Sequence, residues 1–148
     1  MLSNLKLASL ECGFTTYIAQ SDRDIQTQLN RIVREGQLPL SLVSWDLNVD
    51  LAFNASGHLE NPKTKITMLL VDKSLTLDKD DLEAKSEEMA LLFIKFIRSY
   101  KDYLVLNTNV KEDAVTAISY THVPKYGAGQ HSGVLATFVT QLNLEPKC

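Results

Sequence analysis

Tyr126-Gly127-Ala128-Gly129-Gln130-His131-Ser132-Gly133-Val134-Leu135-Ala136-Thr137-Phe138 is the stretch whose reading decides the fold. Its glycines spell G-x-G-x-x-x-G, the kind of run that can bring backbone N–H groups to a phosphate. Such a turn needs a strand before it and a helix N-terminus after it. The residues after Gly133 instead alternate with period two, through Val134, Ala136, Phe138, Thr140, Leu142 and Leu144, and predict a strand. The acidic residue that would hold a ribose, about 20 positions further on, would fall at or past the last residue. A Gly-Lys-Ser/Thr loop is absent, and His131 directly before Ser132 excludes a G-x-S-x-G nucleophile elbow. Residues 123–132 therefore read as a glycine-rich loop joining two strands.

Working outward, Ala114, Thr116, Ile118 and Tyr120 alternate with Val115, Ala117, Ser119 and Thr121, the strand that leads into this loop. A polar connection, 107–113, precedes it. Before that, Asp78, Asp80, Asp81, Glu83, Glu87 and Glu88 give way to Lys95, Arg98 and Lys101, a charge order that matches a helix macrodipole and predicts one helix over 79–101. Leu82, Met89, Phe93, Phe96 and Tyr100 form its apolar seam. Leu92, Ile94 and Ile97 widen that seam beyond an ordinary amphipathic stripe, so the helix is either enclosed in the core or packed on another subunit.

The first half of the chain repeats the plan without repeating the residues. Ser21-Asp22-Arg23-Asp24 opens a capped helix over 22–35, with Ile25, Leu29, Ile32 and Val33 at helical spacing and Gly36 and Pro39 as stops. Val43, Trp45, Leu47, Val49, Leu51 and Phe53 then alternate with Ser44, Asp46, Asn48, Asp50 and Ala52, predicting a strand with one apolar face and the other wet or turned toward a partner. After a loop over 54–63, Ile66, Met68 and Leu70 mark a second strand, the pair forming a hairpin. Residues 1–20 carry no clear pattern beyond a short strand at 14–18. The expected fold is a single α+β domain over 1–148: a mainly antiparallel sheet packed by two helices, in the order helix-strand-strand-helix-strand-strand.

Composition bounds the function. A chain of 148 residues, 45% hydrophobic and 22% charged, is sized for one core. A net charge of -3 with no basic face disfavours nucleic-acid binding. The longest apolar run, Met89 to Ile97, is too short for a membrane span, and the N-terminus lacks an export signal, so the chain reads as made in the cytoplasm. Without an export signal, Asn54-Ala55-Ser56 is a chance match to a glycosylation acceptor. Cys12 and Cys148 do not make a disulfide framework or a metal pair. Asp46-Leu47-Asn48-Val49-Asp50 imitates a calcium loop but has Leu51 where the sharp turn needs Gly and Gly57 where it needs Glu. His58, His122 and His131 lack helical ligand spacing. No catalytic residue, cofactor or metal site is therefore read from the sequence.

The layout resembles the tail terminator, or tail completion, proteins of tailed bacteriophages. The resemblance rests on the helix from Ser21 to Glu35, on Leu38-Pro39-Leu40 entering a long strand, on the acidic-then-apolar helix, and on the final hairpin through Ser132-Gly133-Val134-Leu135-Ala136-Thr137-Phe138. It covers 21–144 as a matter of plan, without a signature motif. It implies a structural virion protein of the tail and neck and not an enzyme: a homo-oligomeric ring, a hexamer, that stacks on the tail tube protein and meets the neck or connector protein. Phe93, Ile94 and Ile97 on the helix and Tyr126, Gln130 and His131 on the loop are the expected subunit-interface residues. A head-to-tail connector or other minor tail protein, and a small α+β enzyme or ligand-binding domain, are the alternative readings.

Overall fold

A computed structural model describes residues 2–19, 39–45, 55–57, 63–74, 76–107, 115–126 and 131–141. The expected helix at 22–35, the second half of the strand expected over 43–53, with its Asp46 and Asp50, and the tip of the glycine loop lie outside the described residues.

Two helices and five strands are described: α1 (Leu2–Glu11), β1 (Thr15–Ile18), β2 (Leu40–Trp45), β3 (Lys63–Lys73), α2 (Lys79–Asn107), β4 (Val115–Tyr126) and β5 (His131–Gln141). The chain is α+β, and the strands form one sheet in the order β1-β2-β3-β5-β4. This corrects two expectations. The sheet is mixed, because β1 lies parallel to β2 while the other pairs are antiparallel. The element order also begins with α1 and β1, ahead of everything the residue pattern placed with clarity.

α1 ends where Gly13 adopts a left-handed φ of 89°. Phe14 N–H donates to the Ser9 carbonyl at 3.0 Å and Gly13 N–H to the Leu10 carbonyl at 3.1 Å, which closes the helix in a Schellman motif. Leu5 and Ala8 are buried while Leu7 and Leu10 are exposed, so apolar residues on opposite sides of α1 hide its periodicity. α2 begins at Asp78, whose carbonyl accepts from Leu82 N–H; Thr76 Oγ1 accepts from Asp78 N–H and donates to the Asp81 carboxylate at 2.6 Å. The helix runs six residues beyond its expected end.

α1 and α2 cover one face of the sheet. The core between them is built on rings: Phe96 lies 5.6 Å from Phe14, 6.0 Å from Tyr100 and 6.5 Å from Phe138, measured between centroids. Ile66, Met68 and Leu70 of β3 and Val134, Ala136 and Phe138 of β5 complete it. On the opposite face Leu40, Leu42, Leu69 and Val71 form a second buried cluster with Ala19. Leu40, Ser41, Leu42, Val43 and Ser44 of β2 are all buried, because the strand lies inside the sheet with apolar packing on both sides; of the polar face expected over 43–53, only Ser44 lies among the described residues. Thr16 Oγ1 and Ser41 Oγ satisfy each other at 2.9 Å within it.

The last hairpin is longer and tighter than expected. β4 and β5 pair up to Tyr126 opposite His131, which leaves four residues, 127–130, between them instead of about ten. Gly133 supplies no turn. It sits in β5 opposite Val71, and a Cβ there would run into the Leu70 backbone carbonyl. Two serines fasten the same point to α2: Ser86 Oγ donates to the Gly133 carbonyl at 2.7 Å, and Ser132 Oγ donates to the Leu82 carbonyl at 2.5 Å. Glycine is required at 133 by close approach, not by conformation.

Candidate functional site

The site grows from the position of β4. β3 and β4 run in the same direction, joined by α2, with β5 inserted between them, so β4 becomes an edge strand. α1 packs on α2 and β1, at the other end of the sheet. α2 alone of the two helices packs on β4, and Ala117 through His122 are all exposed.

A bulge decides which β4 side chains face that open flank. The register passes from Thr116 opposite Val139 to Ser119 opposite Thr137, so Ala117 and Ile118 together oppose the single residue Phe138. Ala117 has a φ of 51°, a left-handed conformation that costs a non-glycine residue about 1 kcal/mol. Strict alternation would set Ile118 and Tyr120 on the face opposite Val115. With the extra residue, Val115 enters the core and Ile118 and Tyr120 still turn toward α2. Tyr120 meets Phe93 edge-on at 6.1 Å.

The result is a groove of about 490 Å³ between α2 and β4, floored by Phe93 and Ile97, walled by Ile94, Ile118 and Tyr120, and rimmed by Arg98 and Lys101. Ile94 is 37%, Ile118 40% and Tyr120 41% exposed. The groove is apolar with a basic lip, alongside a strand whose outer edge has no neighbour among the described residues. Such an edge is a template for pairing with another chain.

The helix residues singled out in the sequence, Phe93, Ile94 and Ile97, all meet here; Phe93 and Ile97 are core residues that show only their outer edge, and Ile94 is the exposed member. The loop residues do not join them. Tyr126 ends β4, and its side chain and Gln130 lie outside the described residues. His131, expected on a loop surface, is only 9% exposed at the start of β5, opposite Lys73. Burial holds its pKa below the usual histidine value, reinforced by Lys73 and opposed by Asp72, and its Nε2 has no hydrogen-bond partner among the described residues. Ile118, Tyr120 and the exposed Leu91 were not marked as interface residues in the sequence, because their exposure follows from the edge position and from the bulge, neither of which the residue pattern contains.

One polar cluster next to the groove has the composition of a nucleophile and base: Ser86 Oγ is 2.9 Å from His122 Nδ1, beside Glu83 and Glu87. Its geometry denies that role. The 2.7 Å approach of Ser86 Oγ to the Gly133 carbonyl consumes the serine proton, so His122 must donate from Nδ1 and cannot accept a proton there. Ser86 is also 1% exposed. The Cys12 thiol is likewise unsuited to nucleophilic work: it is buried, and burial raises its pKa above the ordinary thiol value despite the opposing charge of Lys95. Among the described residues no three His, Cys, Asp or Glu side chains stand together as metal ligands, and no helix is long and apolar enough to cross a membrane. No family model matches the chain, and no curated protein matches it. The groove between α2 and β4 is the feature that asks for a partner.

Proposed function

We propose that the chain is a structural virion protein that assembles with copies of itself into a ring, a hexamer in the layout it resembles, capping the phage tail tube and joining it to the neck or connector protein. The observation that supports this reading is the apolar groove beside the edge of β4 that has no neighbour among the described residues. Apolar surface of this kind, next to a long unpaired strand, is stabilised by another chain and is a liability without one. A heterologous contact through it, repeated by rotation, closes a ring.

Light scattering and negative-stain microscopy on the purified full chain test the reading. Discrete rings, or short tubes of stacked rings, are expected at high protein concentration. A strict monomer at all concentrations that binds a small molecule overturns the proposal in favour of a ligand-binding domain. Co-purification with the tail tube subunit is expected from a tail terminator; retention only by the portal-side connector would place the chain in the connector instead.

A further inference from the structure

The outward side of α2 carries a second pattern. Ala84, Glu87, Leu91, Ile94, Arg98 and Lys101 follow one another at spacings of three, four, three, four and three, which is one stripe along a helix. The first five are exposed, Leu91 by 69%, and Lys101 is half-buried. The spacing reads the same from either end, and the chemistry along it runs acidic, apolar, apolar, basic. Lay a second copy antiparallel about an axis between Leu91 and Ile94, and each Leu91 meets the Ile94 of the other copy. Each Glu87 then meets the other copy's Arg98, and each Ala84 leaves room for the other copy's Lys101. Every contact forms twice, as a two-fold interface requires.

A match to the helix's own dipole accounts for acidic residues at its start and basic ones at its end. It does not account for two exposed aliphatic side chains at the centre of the stripe. A self-complementary contact accounts for both, and antiparallel pairing also opposes the two macrodipoles. We propose that two copies of this chain pair through this stripe, α2 against α2, about a two-fold axis. Ile94, Arg98 and Lys101 also belong to the groove, so the pair closes the mouth of the groove. One consequence rests on the ring reading: a copy paired through this stripe cannot take part in the ring, so the dimer is the form at low protein concentration and the ring the form at high concentration.

The test is sedimentation equilibrium of the full chain under reducing conditions, comparing wild type with Glu87→Arg, Arg98→Glu and the double variant, and using circular dichroism to verify the fold. At low protein concentration wild type is expected to be a reversible dimer. Each single reversal sets like charges opposed at two places and is expected to weaken the dimer by about tenfold or more. The double variant restores it, because in a two-fold contact each reversed charge meets the other. Leu91→Asp, at an exposed site, is expected to abolish dimerisation while leaving the helical signal intact. A wild type that stays monomeric, single variants that associate as well as wild type, or a double variant no better than the singles overturns the proposal. A dimer rescued by the double reversal, without rings under the microscope at any protein concentration, upholds the contact and counts against the ring. Rings that form equally well in every variant overturn the contact and leave the ring standing.

Discussion

β4 and β5 are two strands of one hairpin, similar in length and in apolar content, yet they live in different surroundings. Val134, Ala136 and Phe138 of β5 are fully buried, and Gly133 touches the backbone of β3. Ala117 through His122 of β4 are exposed. The difference is one of place: β5 has a strand on each side and α2 above it, whereas among the described residues β4 has one neighbouring strand and a partly open flank. Alternation of apolar residues specifies a strand, but the number of its neighbours specifies what that strand does. The central strand holds the molecule together, and the edge strand is available to something else.

That contrast is open to measurement. The largest loss is expected from Phe96→Ala, which empties the centre of the ring cluster under β5; about 4 kcal/mol of stability should go, read as a shift of the urea midpoint. Gly133→Ala is the next largest, at about 3 kcal/mol, because the new methyl must push against the Leu70 carbonyl and displace the point fastened by Ser86. A Gly133→Ala protein as stable as wild type would remove the close-approach role given to that glycine.

Tyr100 gives a pH signature of the same core. Its hydroxyl is fully buried against Thr140 Oγ1 at 2.8 Å, and burial pushes its pKa from 10.0 to about 12. The folded protein keeps a proton that the unfolded chain releases, so this contribution to stability is intact below pH 10 and is lost as the pH rises toward 12. About 2 kcal/mol of decline is expected across that window. Tyr100→Phe should flatten the urea midpoint measured from about pH 9.5 to about pH 11.5.

The smallest effect belongs to the edge. Ile118→Ala should cost less than about 1 kcal/mol in the isolated chain, since its side chain is 40% exposed, yet it should weaken any assembly that uses the groove. A large loss of stability in the free chain would mean that Ile118 belongs to the core and that β4 is not an open flank.

Much of this molecule was legible in its residues. The charge order from Asp80 to Lys101 and the seam from Met89 to Tyr100 located α2, and the period-two runs located β3, β4 and β5. The failure of Tyr126–Gly133 to precede a helix disposed of the phosphate cradle. α1 was harder to read because Leu5 and Ala8 face inward while Leu7 and Leu10 face out; its one clear signal was Gly13 followed by Phe14, a glycine stop with an apolar residue after it. The candidate site was half legible: Leu92, Ile94 and Ile97, beside the seam that holds Phe93, announced an over-wide apolar helix, but its neighbours on β4 did not announce themselves.

What the sequence determined by itself is local: periodicity, caps and stops follow from backbone geometry and side-chain chemistry within a few residues. Only the tertiary structure decided that β5 lies between β3 and β4, that a bulge at Ala117 turns Ile118 and Tyr120 toward α2, and that His131 is buried. These are outcomes of pairing between strands far apart in the chain, where one extra residue reverses the face a side chain occupies. Gly133 shows the division most clearly: as a letter it suggests a turn or a phosphate loop, and as a neighbour of Leu70 it is the one residue small enough to let two strands meet.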